Sequence, residues 1–265
     1  MFVGDLNDKG PSSSTVIDRV RAWVESGRAH AAMGNHELNA LAWNTRGEDG
    51  KWLRPHTEPN RRHHEAHLRE AKRNPWRYAE HLAFFRTLPL YLDLGSIRIV
   101  HACWDEPSLD AFRDLPDAPL SDQTLRRMHT PGDPLHSAVE TALKGPGIKL
   151  PKALRFRDSA GKLRREARMK WWEPEGSSLA DLCLLKTKPP REEWKKMKAK
   201  QPKHRVLYTS DIPVFFGHYH LTGKPRPTSQ NAICTDWGAG SGRRLAAYRW
   251  NGGEVRAENF VSVRV

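Results

Sequence analysis

The chain has 265 residues, of which 38% are hydrophobic and 28% charged, and this composition favours a soluble globular protein with a sizeable core. No apolar run approaches the ~18 residues that a membrane helix needs, and nothing at the N-terminus is typical of a signal peptide. The formal net charge of +13 favours anionic partners such as phosphates, nucleotides, nucleic acid or acidic proteins.

The first predicted elements alternate between strand and helix. Residues 1–3 predict the end of a strand, and the helix-capping residues at 12–15 precede apolar side chains at helical spacing. A short apolar run at 29–33 predicts a second strand parallel to the first, followed by a new helical pattern. Strand, helix and strand together predict a βαβ unit.

The pattern from residue 40 to about 88 is mostly helical, with a polar break at 46–60 and a helix that begins at Pro75. The period then changes, and residues 90–94 and 97–101 predict two strands joined by a tight turn.

Residues 106–143 predict helices that prolines interrupt. We interpret residues 144–205 as a cap or insert within one domain that spans 1–265. Within this insert, 150–172 predicts a hairpin or cap, and 177–200 predicts a helix, a Pro-Pro turn and a basic tail.

The last fifth of the chain is rich in strand patterns. The predicted strands are 206–208, 214–216, 232–237, 245–250 and a terminal strand to 265, which follows a hairpin turn at 251–253.

The basic residues concentrate in three clusters, at 60–73, 152–170 and 186–205. Such clusters favour solvated faces and mobile loops. A nucleic-acid surface is the alternative, although no aromatic-rich strand or zinc-finger spacing supports it. The three widely spaced cysteines predict neither a disulfide framework nor a cysteine-based zinc site, so we expect a reducing, cytoplasmic setting.

Residues with metal-ligand chemistry occur where the predicted strands end. They are Asp5, Asp8, Asn35, His36, His101, His218 and His220. Each alone is more typical of a turn, a helix cap or a hydrogen-bonded core histidine. Together they form a mixed oxygen and imidazole set, which suits Mn, Fe, Zn or Ni better than Ca or Mg. A carboxylate at Asp5 could bridge two such ions acting on one phosphorus atom.

Four motifs, in this order, resemble those of the calcineurin-like metallophosphoesterases, especially the bacterial phosphoprotein-phosphatase-like branch. They are Gly4-Asp5 with Asp8-Lys9-Gly10, Gly34-Asn35-His36-Glu37, His101, and Gly217-His218-Tyr219-His220. The tail at 236–250 is similar to that of bacterial members, so the resemblance spans nearly the whole chain. It implies an α/β fold, specifically a four-layer α/β/β/α sandwich with mixed sheets.

The resemblance also implies the ligands of two divalent or trivalent metal ions. Asp5 would bridge both ions, Asn35, His101 and His218 would complete one site, and His220 would belong to the other.

The same resemblance implies how the phosphate ester is cleaved. A metal-bound hydroxide would attack phosphorus, and His36 would protonate the leaving oxygen as general acid. Asp8 would orient His36, and Lys9 would bind the substrate phosphate.

The chain departs from the family pattern in two ways. Lys9 stands where the family usually has arginine, so it can neutralise phosphate only as a point charge. The family's first strand, which ends in Asp-x-His and supplies two ligands of one metal site, has no counterpart before Met1. A shortened chain and a genuinely reduced, one-metal or inactive protein both explain this difference, and the sequence does not separate them.

The predicted function is hydrolysis of a phosphate ester in a phosphoprotein, a nucleotide or a small phosphomonoester, without a membrane partner. The alternatives are a catalytically impaired relative that binds phosphate or nucleic acid, and a plain nucleic-acid binder that uses the basic clusters. We expect residues 46–60 and 144–172 to border the cleft and to set specificity.

Overall fold

The computed structural model describes residues 1–115, 119–152, 155–157, 163–185, 191–198 and 205–265, which form a mixed α/β fold. The α-helices of these residues are α1 (Ser13–Glu25), α2 (Asn35–Trp43), α3 (Glu58–His63), α4 (Glu65–Arg73), α5 (Pro75–Thr87), α6 (Glu106–Asp110), α7 (Asp122–His129), α8 (Pro134–Lys144), α9 (Leu179–Leu182) and α10 (Arg191–Lys198). Their length and composition leave none of them able to cross a bilayer.

The strands of the same residues form four sheets. They are β1 (Tyr91–Asp93), β2 (Arg98–Val100), β3 (Gly147–Lys149), β4 (Phe156–Arg157), β5 (Leu163–Arg164), β6 (Glu166–Met169), β7 (Cys183–Leu184), β8 (Val214–Phe216), β9 (Ala232–Cys234), β10 (Asp236–Trp237), β11 (Arg244–Tyr248) and β12 (Phe260–Arg264). The sheet orders are β1-β2-β8-β9, β10-β11-β12, β3-β6-β7 and β4-β5.

The start of the chain folds as the sequence predicts. Phe2 pairs with Ala31 in a parallel bridge, and α1 connects the two, so the βαβ arrangement is confirmed at this single ladder position. The Ser12 side chain caps α1 by accepting a hydrogen bond from the Thr15 N–H, and Ile17 lies buried against the core.

The central sheet β1-β2-β8-β9 positions the candidate site. The predicted pair of strands at 90–94 and 97–101 is confirmed as the antiparallel β1 and β2. Strand β2 is parallel to β8, and β8 is parallel to β9. Because parallel strands end at the same edge, His101 directly after β2 and His218 two residues after β8 are brought together.

The two faces of the central sheet bury different partners, because successive side chains point to opposite sides of a strand. Val100 and Phe216 belong to the main core beneath the helices. Phe215 and its neighbours on the other face contact Tyr248 and Phe260 of the β10-β11-β12 sheet. The described layers are therefore helices, central sheet and C-terminal sheet.

The helix that the sequence begins at Pro75 is confirmed as α5. Pro75 occupies its first turn, and Asn74 caps it by accepting a hydrogen bond from the Arg77 N–H. The polar break at 46–60 is confirmed as the loop between α2 and α3. The interrupted helices predicted at 106–143 are α6, α7 and α8, and residues 116–118 lie outside the described part of the chain.

The region interpreted as an insert has a small core of its own. Strands β3, β6 and β7 enclose Ile148, Met169 and Leu182. A hairpin is present where one was predicted, because Phe156 pairs with Arg164. The predicted Pro-Pro turn and most of the basic tail lie outside the described residues. The role of this region as a cap stays a prediction.

Three predictions for the C-terminal part are wrong in detail. Residues 232–237 form two strands and not one, because β9 ends at Cys234 in the central sheet and β10 begins at Asp236 in the C-terminal sheet. Residues 206–208 form no strand, because Val206 and Tyr208 pack their side chains on the main core without a partner strand. Strands β11 and β12 do form a hairpin, but their connection extends well beyond the turn predicted at 251–253. The Tyr248 hydroxyl oxygen accepts a hydrogen bond from the Arg256 N–H at 2.8 Å, which closes this longer loop.

Candidate active site

The loop that carries Asp5 is fixed by Glu37, which sequence analysis treated only as part of a motif. Glu37 is fully buried in the first turn of α2. Its carboxylate accepts hydrogen bonds from the backbone N–H groups of Asp5 at 2.8 Å, Leu6 at 2.7 Å and Gly34 at 2.8 Å. One side chain therefore ties the N-terminal loop to the start of α2. A glutamate at the third position of a helix after a loop is the signal that could have indicated this role.

The same two loops also meet backbone against backbone. A Cβ atom on Gly4 would lie 2.4 Å from the Gly34 nitrogen, and a Cβ on Gly34 would lie 2.4 Å from the Asp5 nitrogen. Both contacts are far too short for a larger residue. The glycines at positions 4 and 34 are therefore required for the loops to come together.

Four site residues adopt left-handed backbone conformations, which non-glycine residues rarely do. The φ angles are 58° at Asp5, 68° at Asp8, 69° at His218 and 50° at His220. Among the described residues, these are the non-glycine positions with positive φ. Unfavourable backbone conformations persist where the surrounding structure imposes them, and they concentrate at functional sites.

A candidate metal centre lies at this edge of the central sheet. Ligand atoms of Asp5, His101 and His218 all lie within 4.8 Å of one another. The Asn35 Oδ1 atom lies 2.9 Å from His218 Nδ1 and 3.1 Å from His101 Nε2. The structure thus brings together four of the five predicted ligands.

The polarity of this group fits a cation. His101 Nδ1 donates its proton to the Val3 carbonyl at 2.5 Å, which leaves Nε2 as an acceptor. That acceptor lies 3.3 Å from Asp5 Oδ1 and 3.1 Å from Asn35 Oδ1. Three acceptors facing one another repel unless a positive charge lies between them. Mixed oxygen and imidazole ligands suit a divalent transition metal.

The charges around this group keep its ligands in the forms that bind metal. Burial acts to raise the pKa of Asp5, but its interactions with the neighbouring His101 and His36 outweigh this effect and lower that pKa. Burial, together with the Arg168 guanidinium, holds the pKa of His218 well below its usual range. A carboxylate and a neutral imidazole are the ligand forms that metal binding requires.

His220, the fifth predicted ligand, lies beside Asp236. Its backbone N–H donates to Asp236 Oδ2 at 2.8 Å, and its side chain is 37% exposed. It does not belong to the group of ligand atoms around Asp5. Its assignment to a second metal site stays a prediction.

Asp8 joins two histidines. Its Oδ2 accepts from His36 Nδ1 at 2.8 Å, and its Oδ1 accepts from His64 Nδ1 at 2.6 Å. Burial raises the pKa of Asp8, but the hydrogen bonds from both histidines outweigh this effect and lower the pKa to about 2. Burial lowers the pKa of His36, but the charges of Asp5 and Asp8 prevail and raise it to about 9. His36 can therefore hold a proton near neutral pH.

The sequence did not indicate His64, which lies 56 residues from Asp8 and is 2% exposed. Its Nδ1 donates to Asp8, so its Nε2 accepts from the Tyr78 hydroxyl at 3.1 Å. The Tyr78 oxygen in turn accepts from Asn44 Nδ2 at 2.8 Å. This chain of hydrogen bonds fixes the second oxygen of Asp8 and with it the orientation of His36.

Asp8, His64 and His67 form a second group with metal-ligand spacing, but hydrogen bonds occupy it. His67 Nε2 lies 3.0 Å from His81 Nδ1, and His81 Nε2 donates to Asp18 at 2.8 Å. Burial lowers the pKa of His67 to about 3, so this ring is neutral. The arrangement is that of a hydrogen-bonded core network.

Two cationic side chains near the site, Arg168 and Lys9, differ in their burial. Arg168 of β6 is half-buried and donates to the His218 carbonyl at 2.5 Å, so interpreting its basic cluster as a solvated face is wrong at this position. Lys9 is exposed, and the stem of its side chain lies against Gly240 of the C-terminal loop. Its predicted contact with the substrate phosphate stays a prediction.

The fold and site define a mixed α/β protein with a histidine and aspartate group able to hold a metal ion. No family model matches the chain. A segment of 41 residues is 49% identical to a protein of Ralstonia nicotianae named bis(5'-nucleosyl)-tetraphosphatase, symmetrical. The match covers 16% of this chain and 14% of that relative. The similarity is therefore local.

The candidate metal centre predicts how metal binding responds to substitution. We expect His101→Ala and Asp5→Asn each to weaken binding of Mn²⁺ or Zn²⁺ by at least about tenfold, because the first removes a ligand atom and the second removes the negative charge of the group. Isothermal titration calorimetry of the metal-free protein measures this affinity. His129→Ala is the matched control, since its ring donates to the Leu125 carbonyl at 2.8 Å and is not among the candidate ligands. Equal affinity in all four proteins would contradict the assignment.

The Asp8–His36 pair predicts an unusual titration in the metal-free protein. We expect NMR to give a pKa of about 9 for His36, which is raised from its ordinary 6.5, and about 2 for Asp8, which is lowered from 3.8. His36 then stabilises the folded state fully below pH 6.5, and this contribution is lost as pH rises through about 9. The Asp8 contribution is present above pH 3.8 and is lost as pH falls through about 2.

Two changes test the causes of this titration. Asp8→Asn should lower the pKa of His36, because the aspartate charge raises it. Adding the metal should also lower it, because a cation offsets the charge of Asp5. A His36 pKa near 6.5 in the metal-free protein would contradict the pairing.

Proposed function

We propose that the protein is a metal-dependent phosphoesterase of the calcineurin-like type. One observation carries the proposal, namely that the acceptor group around Asp5 lies beside His36, whose Nδ1 is hydrogen-bonded to the Asp8 carboxylate. The fold is proposed to be the four-layer sandwich, of which helices, central sheet and C-terminal sheet are described. The cytoplasmic setting stays a prediction, although the three cysteines are free and buried.

The metal would be held by Asp5, Asn35, His101 and His218, with His220 and Asp5 as ligands of a second ion. The donor set fits Mn, Fe, Zn or Ni, and the residues do not select among them. When bound, such ions supply positive charge that polarises the phosphate and makes a water molecule more acidic.

The side chains of this chain then have distinct roles. Asp5 carries the negative charge that holds the cation close to the loop fixed by Glu37. His36 donates the proton from its Nε2 atom to the leaving oxygen, because Nδ1 is engaged with Asp8. Arg168 and Lys9 provide positive charge for the phosphate oxygens, Arg168 as a planar fork and Lys9 as a point charge.

The substrate is proposed to be a phosphorylated small molecule, with nucleotides first. The local similarity supports this class, because the relative's name describes hydrolysis of a bis(5'-nucleosyl) tetraphosphate. The surplus of positive charge fits a polyanionic substrate. Phosphoproteins remain a second substrate class to be assayed.

The test is hydrolysis of p-nitrophenyl phosphate and of a nucleotide by the purified chain with Mn²⁺ added. We expect turnover that a chelator abolishes and that Asp5→Asn reduces to background. Metal or nucleotide binding without turnover would overturn the proposal in favour of a binding protein. Nucleic-acid affinity that falls steeply with salt and ignores Asp5→Asn would favour the basic clusters instead.

A further inference from the structure

Arg54 lies on the loop between α2 and α3, and this loop is well fixed. The Arg54 N–H donates to the Ala42 carbonyl at 3.0 Å, and the Leu53 N–H donates to the Thr45 carbonyl at 2.9 Å. Both bonds return the loop to the end of α2. The backbone position of Arg54 is therefore set by the helix that carries His36.

A stack of rings supports the same loop from within. His56 lies between Trp52, at 4.7 Å between ring centroids, and Trp43, at 3.8 Å, and both pairs are nearly parallel. The Arg46 guanidinium covers the outer face of Trp52 at 3.9 Å. A loop stiffened in this way holds a charged side chain at low entropic cost.

The side chain of Arg54 has little to balance its charge. It is half-buried, and its Nη1 atom donates to Asn39 Oδ1 at 2.6 Å. Its Nε atom is buried and has no hydrogen-bond partner. In the described part of the chain, no carboxylate pairs with it, and the negative charge that acts on it is that of Asp8. A desolvated charge without a counter-ion is costly unless a ligand supplies the opposite charge.

Helix α2 sets where this charge lies relative to the chemistry. Asn35, at its first position, faces the candidate metal centre, and His36 follows it. Asn39 lies three residues after His36, on the same side of the helix and about 4.5 Å further along its axis. Arg54, bound to Asn39, is therefore held about one helical turn along α2 from Asn35 and His36.

Other positive charges act in the same region. Partial burial, followed by the charges of Arg54 and Lys9, lowers the pKa of His63. His36 adds to the same effect. Positive charges from three separate segments thus act at one position, His63, and such a concentration of charge suits a multiply charged anion.

We propose that Arg54 binds an anionic leaving group, so that the site favours substrates whose leaving group is itself a phosphate. This inference rests on the proposed function, because it takes His36 as the proton donor to the leaving oxygen. One water adds to the attacked phosphorus, and the P–O bond to the leaving phosphate breaks with its electron pair on the bridging oxygen. The proton of His36 Nε2 ends on that oxygen. The departing phosphate then pairs with the Arg54 fork.

The test compares two substrates in Arg54→Met, which keeps an unbranched apolar stem but removes the guanidinium and its charge. With inorganic tripolyphosphate we expect kcat/KM to fall about 10- to 100-fold, as for loss of a hydrogen bond to a charged group. With phenyl phosphate, whose leaving group carries no second phosphate, we expect a change below about threefold. Arg54→Lys should give an intermediate loss, because it keeps the charge without the fork.

Two controls make the outcome decisive. Arg62→Ala removes an equal charge from a side chain that is 71% exposed, and it should leave both substrates unaffected. Arg54→Met should unfold at the same temperature as the wild type or higher, because it removes an unbalanced buried charge. Equal losses with both substrates, no loss with either, or a lower unfolding temperature would each overturn the role of Arg54.

Binding separates this inference from the proposed function. If the wild type hydrolyses neither substrate, the proposed function fails, and calorimetric titration with tripolyphosphate still reports on Arg54. Binding that weakens about tenfold or more in Arg54→Met would support the anion site. Unchanged binding would overturn it.

Discussion

Replacing His36 with glutamine is expected to lower kcat for phenyl phosphate by a factor of about 10² to 10⁴, the usual contribution of general acid catalysis. Glutamine can still donate a hydrogen bond to Asp8, but it cannot carry the proton that the leaving oxygen needs. Steady-state kinetics with saturating metal measures the effect. The loss should be much smaller for p-nitrophenyl phosphate, because its leaving group departs readily without protonation.

A matched control separates loss of the acid from loss of structure. His136→Gln alters a histidine whose ring contacts the Met128 carbonyl at 3.0 Å, and it should leave kcat unchanged. His36→Gln should also retain metal affinity, since His36 is not among the proposed ligands. Undiminished hydrolysis of phenyl phosphate by His36→Gln would rule out its role as the acid.

Glu37→Ala is expected to lower the free energy of unfolding by about 3 kcal/mol or more, because it leaves three backbone N–H groups without their acceptor at a cost of about 1–3 kcal/mol each. The same substitution should weaken metal binding, since the loop that holds Asp5 loses its attachment to α2. Urea denaturation measures the stability, and calorimetry of the folded protein measures the metal affinity.

Two further variants show whether the loss of stability in Glu37→Ala comes from the lost acceptor. Glu37→Gln keeps one oxygen acceptor and should fall between the wild type and Glu37→Ala. Glu25→Ala removes an equal charge from a side chain that is 59% exposed, and it should change stability by less than about 0.5 kcal/mol. A Glu37→Ala protein as stable as Glu25→Ala would contradict the role of this carboxylate.

The parts of the fold that the sequence predicted are those with local signals. Pro75 after Asn74 marks the start of α5, and the change to alternating residues marks β1 and β2. The polar residues at strand ends could be grouped because parallel strands share an edge. The strand-end pattern put Asp5, His101 and His218 in one candidate set, and the resemblance to the metallophosphoesterases implied that they share a metal site.

The helix-capping position of Glu37 could indicate its bond to Gly34, but its bonds to Asp5 and Leu6 and the contact of His64 with Asp8 could not be predicted, because they join distant segments. Glu37 binds N–H groups 31 and 32 positions away, and His64 reaches Asp8 across 56. A single buried histidine or glutamate belongs to no periodic sequence pattern that would predict its contacts. The sequence likewise did not distinguish Arg54 from the other arginines, because only the fold shows that its charge lacks a counter-ion.

The strand predicted at 206–208 fails for a related reason. Three residues of strand-like composition become a strand only if a neighbouring strand offers a free edge, and at 206–208 the apolar side chains pack on the core instead.

The C-terminal sheet shows that the burial of apolar residues also depends on the fold. Its outer positions Leu245 and Val263 are 61% and 58% exposed, although both residues are apolar. Composition alone therefore predicts neither pairing nor burial here.

Under the proposed function, the left-handed conformations at the site imply a compromise between stability and turnover. Each costs about 1–3 kcal/mol in a residue with a Cβ atom, and glycine at the same position would recover part of that energy. Asp5, Asp8, His218 and His220 nonetheless occupy all four positions. Selection for thermal stability alone would favour glycine at these positions, and the most stable variants would then lack the side chains on which the proposed activity depends.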